Sequence, residues 1–222
     1  MRIAQPEGRR GSLKWIQRAV EERWPALEQP IRARLRAERR ITWLSPLRED
    51  DFAEYRDGSF LTRIGRPELI GDLSAFWPAR GPQWDALGRT SEGDILLVEA
   101  KAHIAEMCSS GTAAGAVSKA RIEAALDAVA LQLGAKADRA PWSTHFYQLA
   151  NRLAHLAFLR RLGVPAWLVL VNFVGDDDMK GPAGAEAWDA AYQVAFHVMG
   201  LPRRHALSPF VIHVPVSVAD AG

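Results

Sequence analysis

Three residues within Pro82–His103, PQWDALGRTSEGDILLVEAKAH, combine charge with an apolar setting: Asp85, Glu99 and Lys101. Ile95, Leu96, Leu97 and Val98 read as a buried strand, yet the run continues directly into Glu99 and Lys101 without a turn. Charges beside a core are expensive unless they are paired or bind a metal. Ser91, Glu92 and Gly93 suit a three-residue hairpin loop, in which a type I turn is followed by a left-handed residue, commonly Gly. With Thr90 and Asp94 flanking that loop, Asp85 stands opposite Glu99. Cross-strand Cβ atoms are then ~5 Å apart, and like charges repel. Alternation puts Leu97, Glu99, Lys101 and His103 on one face and Leu96, Val98 and Ala100 on the other. A slip of one residue would move Asp85 to the opposite face.

Two carboxylates so placed suit a hard divalent cation, Mg²⁺ or Mn²⁺, which cancels their repulsion. Such an ion polarises a phosphoryl oxygen and lowers the pKa of bound water. Lys101, ~6.6 Å along the strand from Glu99, could orient that water or stabilise developing negative charge. The set therefore points to hydrolysis of a phosphodiester, with Asp85 and Glu99 as metal ligands and Asp85, Glu99 and Lys101 as the catalytic group.

The elements that must position these residues follow from periodicity. Ser12 is the expected N-cap of a helix carrying Leu13, Ile16, Val20, Trp24 and Leu27, and Pro30 the expected start of a second. RITWLSPL reads as a strand, and Asp50 and Asp51 suit a helix start. Strands over 83–89 and 94–102 form the hairpin, and helices follow over 116–133 and 143–162. AWLVLVNFV is a continuous apolar strand of the kind covered on both faces, and a helix over 185–199 and the strand FVIHVPVSV close the chain. Together these predict one α/β domain over residues 1–222 with a mixed central sheet flanked by helices, its core over 13–174 and a C-terminal helix and strand over 185–218.

Composition sets the outer bounds. A chain of 222 residues, 48% apolar and 24% charged, suits one sizeable globular domain. A single cysteine, Cys108, excludes an internal disulfide and suits a reducing cytoplasm. No apolar run approaches the ~20 residues of a membrane helix, and MRIAQPEGRRG has no apolar secretion core. Net charge is +2, yet between Arg9 and Arg40 ten bases face four acids, and between Ile41 and Glu106 twelve acids face seven bases. A basic flank beside an acidic centre suits a phosphate-binding protein with a cation site, and equally a solvated, salt-bridged helix.

The acid, acid and lysine resemble the motif of the PD-(D/E)XK nuclease superfamily, the restriction-endonuclease-like fold: Asp85 matches the first acid, Glu99 the second and Lys101 the lysine. The element order resembles that family over most of residues 13–174, and the chain looks similar to bacterial proteins of that superfamily. Pro82 departs from the motif by standing three residues before Asp85. The resemblance implies a Mg²⁺- or Mn²⁺-dependent phosphodiesterase acting on nucleic acid, DNA first, and often as a homodimer. It also implies a further Glu from the first helix, for which Glu21, Glu22 and Glu38 qualify. Some exonuclease branches carry Gln and, four residues later, Tyr on the helix after the catalytic strand; here Gln148 matches and Arg152 replaces the Tyr.

On that helix Phe146, Leu149, Ala150, Leu153 and Ala157 form an apolar stripe, and Gln148, Asn151, Arg152 and His155 a polar one. Gln148, Arg152 and His103 are accordingly the expected substrate contacts, with Arg152 holding a phosphate. Glu106 is near enough in sequence to act as an outer acid, and equally reads as an ordinary charged residue. Asp176, Asp177 and Asp178 read as a solvated turn, SSGTAAG lacks a phosphate-loop pattern, Cys108 reads as a small inert residue and the tryptophans as core. Two alternatives to a nuclease remain: a non-cutting nucleic-acid-binding protein of the same fold, and a subunit of a defence or repair complex.

Overall fold

The computed structural model describes residues 1–35 and 40–220. The chain passes through β1 (Arg2–Ile3), α1 (Gly11–Glu21), α2 (Pro25–Leu35), β2 (Ile41–Ser45), β3 (Glu54–Tyr55), α3 (Asp57–Arg63), α4 (Ile70–Phe76), β4 (Ala86–Thr90) and β5 (Ile95–Lys101). It continues through α5 (Ala116–Gln132), α6 (Tyr147–Arg161), β6 (Ala166–Val174), α7 (Ala185–Val198) and β7 (Val211–Ser217). β2, β4, β5, β6 and β7 form a mixed sheet in that order: β4 runs antiparallel to β2 and β5, while β5, β6 and β7 run parallel. β1 and β3 form a separate antiparallel pair.

β5 is buried at every position because both faces of the sheet are covered. On one side Trp15, Ile16, Leu27 and Ile31 of α1 and α2 pack on Leu96, Val98, Val169 and Val171. On the other, residues of α3 to α7 close over Leu87, Leu97, Leu168 and Leu170. Each fully buried Leu, Ile or Val contributes ~1.5–3 kcal/mol of transfer free energy. That is the driving force for the apolar runs predicted as β5 and β6. The fold class is α/β, a mixed sheet flanked by helices, as the element order predicts. No helix among the described residues is long and apolar enough to cross a membrane.

Several local expectations are corrected. Ser12 is no N-cap: α1 begins at Gly11 after an extended Arg10, and no side chain caps it. Gln17 fixes the entry instead, accepting from Gly8 N at 2.7 Å and donating to Pro6 O at 3.0 Å. The second helix begins at Pro25, with Pro30 in its interior. The backbone bond that Pro30 forfeits is outweighed by burial of Leu27 and Ile31. Asp50 and Asp51 end a 3-10 turn rather than starting a helix, and both accept from Arg2, each at 2.8 Å.

The hairpin has the predicted register. Thr90 N donates to Asp94 O at 2.9 Å, and Gly93 takes the left-handed position at φ +91. Ala86 faces Val98, Leu87 faces Leu97 and Arg89 faces Ile95. Regular pairing stops at Ala86 because the chain upstream leaves β5: Trp84 bridges to Tyr55 of β3. This divergence opens the sheet beside Ala100.

Candidate functional site

Asp85 stands where β4 and β5 separate. Its N–H reaches Val98 O at 3.2 Å, although Val98 is already the partner of Ala86, so the ladder slips by one residue here and the expected direct pairing of Asp85 with Glu99 does not form. Its Oδ2 accepts the N–H of Ala100 at 2.7 Å, replacing the main-chain partner that the departing chain no longer supplies. Oδ1 takes no hydrogen bond among the described residues.

Glu99 and Lys101 project towards α6, and two spacings match there. Residues two apart on a strand are ~6.6 Å apart, and residues four apart on a helix ~6 Å. Lys101 therefore meets Gln148, Nζ to Oε1 at 2.9 Å, while Glu99 meets Arg152 one turn later. Lys101 Nζ also lies 2.8 Å from Glu99 Oε1, and Arg152 Nε and Nη2 lie 2.7 and 2.6 Å from Oε2. The polar stripe of α6 is thus buried: Asn151, Arg152 and His155 are 5%, 5% and 1% exposed. Gln148 and Arg152 meet the sheet, and His155 packs among Phe76, Trp77 and Trp84.

Arg152 does not extend into open space as a phosphate contact would. Its Nη1 donates to Asn151 Oδ1 at 2.8 Å, Nη2 also donates to Gln83 O at 2.7 Å, and the guanidinium lies 5.0 Å from the Trp84 ring centroid. Gln148 lines the cleft, its N–H donating to Ser109 Oγ at 3.1 Å. His103 pairs with Glu106, Nε2 to Oε1 at 3.1 Å, and is absent from the cleft wall. Glu106 does line the cleft, and its Oε2 accepts the N–H of Ala102 at 3.2 Å.

The third acid is Glu54, which sequence reasoning missed. It lies on β3, is 6% exposed, and its Oε2 accepts from Gln83 Nε2 and from Gln5 Nε2, the latter at 3.2 Å. One signal was available: Glu54 interrupts the apolar run Phe52, Ala53, Tyr55, all buried. The helical candidates lie elsewhere. Glu21 accepts from Arg48 N at 2.7 Å, and Glu22 pairs with Arg18 at 3.1 Å; Glu38 falls outside the described residues. Asp176 is also structural, accepting from Trp15 Nε1 at 2.7 Å, with Asp177 and Asp178 exposed.

Glu54, Asp85, Glu99, Lys101, Gln148 and Arg152 share the wall of one cleft of about 660 Å³. The loop after β5 forms its rim through Ser109, Ser110 and Thr112, with Cys108 exposed beside them. Burial, reinforced by the charges of Glu99 and Glu54, pushes the Asp85 carboxyl well above the usual range. Burial likewise raises Glu54, with Glu99 adding to it. For Glu99 burial pushes upward, but Arg152 and Lys101 together more than offset it and hold the carboxyl below its ordinary value.

The donor set is hard carboxylate oxygen. Among the described residues no three His, Cys, Asp or Glu side chains are grouped so that they could hold a metal ion. Mg²⁺, however, keeps most of its waters and takes one or two carboxylates plus substrate phosphate. Asp85 and Glu99 are the two carboxylates of the cleft that could answer that demand. No family model, curated protein or solved structure matched the chain.

Proposed function

We propose that the chain is a Mg²⁺- or Mn²⁺-dependent nuclease that hydrolyses phosphodiester bonds of DNA. The observation carrying this reading is that Asp85 and Glu99 line one open cleft, with Lys101 Nζ 2.8 Å from Glu99. Asp85 and Glu99 would hold the ion, with Glu54 as the neighbouring acid. When bound, the ion would polarise a phosphoryl oxygen and acidify water. Lys101 commits two of its three N–H donors to Glu99 and Gln148. The third can hold the attacking water or meet charge developing on the phosphoryl group. Gln148 fixes the lysine, and the hydroxyl-rich rim offers donors to phosphate oxygens. The resemblance of the acid-acid-lysine set to PD-(D/E)XK nucleases supports the same reading, as does the mixed sheet. A homodimer and a cytoplasmic setting belong to it as well.

One observation favours a second reading, a protein of this fold that binds nucleic acid without cutting. Lys101 and Arg152 already compensate Glu99 without an ion. The test is incubation of plasmid, single-stranded DNA and RNA with the chain plus Mg²⁺ or Mn²⁺, alongside Asp85→Ala and Lys101→Ala. The nuclease reading expects metal-dependent cleavage of DNA that both substitutions abolish. Tight binding without cleavage, unchanged by either substitution, selects the binding protein.

A further inference from the structure

Arg152 is buried more deeply than a substrate contact needs, and its contacts converge on the acids. Two of its nitrogens reach Glu99 Oε2, at 2.7 and 2.6 Å. The same guanidinium donates to Gln83 O at 2.7 Å, and Gln83 in turn holds Glu54 through its side-chain amide. Gln83 also lies two residues before Asp85, on the segment that leaves β5. One side chain thus fixes Glu99 directly and Glu54 through a neighbour, at the point where the sheet opens.

Charge explains why an arginine does this. Glu54, Asp85 and Glu99 line one cleft, and Lys101 with Arg152 supplies two cations there. Arginine keeps its charge when buried and presents a planar fork. It therefore offsets the cluster permanently, whereas a metal ion comes and goes. A divalent ion entering beside Glu99 must share that carboxylate with a fixed positive charge, which weakens its hold.

We infer that Arg152 is a positioning residue acting as a built-in cation: it orients Glu99, anchors the Gln83 segment, and sets how weakly the centre holds a divalent ion. This inference rests on the nuclease reading for its catalytic consequence, and on the observed contacts alone for its metal-free consequence.

The experiment titrates Mn²⁺ against melting temperature for the wild-type chain, Arg152→Met, Arg152→Lys and Asp85→Asn, and measures cleavage of DNA in parallel. Arg152→Met is expected to melt lower without metal and to respond at an Mn²⁺ concentration about tenfold lower. Its DNA turnover should fall at saturating Mn²⁺. Arg152→Lys should return the Mn²⁺ midpoint towards wild type without restoring full turnover, since the charge returns and the fork does not. Asp85→Asn should remove the Mn²⁺ response. Arg152→Gln replaces the methionine variant if that one does not fold, with the same expectations.

A metal-free cycle with Glu99→Gln gives the independent arm: the effect of Arg152→Met on melting should shrink sharply when Glu99 is already neutral. An additive cycle, or an Mn²⁺ midpoint unchanged or raised in Arg152→Met, overturns the inference. Should the wild type cleave nothing while Arg152→Met still takes up Mn²⁺ more tightly, the nuclease reading falls and the role of Arg152 stands.

Discussion

The carboxylate of Asp85 accepts the main-chain N–H of Ala100 at 2.7 Å, filling the gap left where the strand carrying Asp85 departs from its neighbour. A side chain thereby completes a backbone ladder, and it does so next to Glu99. Asparagine can keep that bond through its own oxygen while shedding the charge. Asp85→Asn should therefore fold.

The sign of its effect on stability follows from the raised carboxyl of Asp85. A folded-state value above the unfolded one means the folded protein binds the proton more tightly. The associated stability is present at acid pH and is lost as pH rises through the folded value. In metal-free buffer at pH ~8, Asp85→Asn should melt above wild type, and the difference should vanish towards pH ~4. Cleavage should be lost at both. A lower melting temperature at alkaline pH would contradict the crowding of acids described above.

Glu54→Gln removes a charge that no residue spacing announces. Gln5 and Gln83 can both still donate to an amide oxygen at position 54. Folding should survive, while metal-dependent cleavage should fall by ~10–100-fold, the usual scale for outer partners of a metal site. Cleavage rates measured across an Mg²⁺ series check this, and undiminished turnover would remove Glu54 from the site.

His155 supplies a second pH dependence, of opposite sign. Burial drives its imidazole down to about 3 from 6.5, among Phe76, Trp77 and Trp84. The unfolded chain takes up a proton below 6.5 that the folded chain refuses, so stability falls between 6.5 and about 3. The slope contributed there is at most ~1.4 kcal/mol per pH unit. His155→Phe should flatten this acid limb in melting curves taken from neutral pH downwards. Parallel limbs for both proteins would show that His155 ionises freely in the fold.

Gly93 sets the hairpin register at φ +91 and has open space around it. Gly93→Ala thus meets backbone strain alone, ~1–2 kcal/mol, or roughly 2–4 °C of melting temperature per kcal/mol. Gly93→Asn should lose less, because Asn tolerates such conformations. Cleavage at room temperature should be unaltered in both. A loss of activity out of proportion to stability would mean that the hairpin shifts register.

How much of the site was legible depended on the range of the interaction. Asp85, Glu99 and Lys101 were readable as near neighbours because a turn of three residues fixes the hairpin pairing as far as Ala86 and Val98, beside which they lie. Gln148 and Arg152 were readable as a polar stripe, but their partners were not. Whether such a stripe meets water or a sheet depends on what else packs there, and it met Lys101 and Glu99. Glu54 stood out only as a charge within an apolar run, and nothing local ties β3 to the hairpin; the bridge from Tyr55 to Trp84 and the side chain of Gln83 bring it in.

The linear order of residues by itself determined the apolar strands and the hairpin register from Ala86 to Thr90, since period-two alternation and a left-handed glycine are local properties. Tertiary structure alone decided that Arg152 pairs with Glu99 rather than reaching into solvent, that Glu54 completes the acidic group, and that Glu21 and Glu22 lie elsewhere. Those outcomes depend on the packing of α6 and β3 around the sheet, where burial makes each charge seek whichever partner the fold brings within reach.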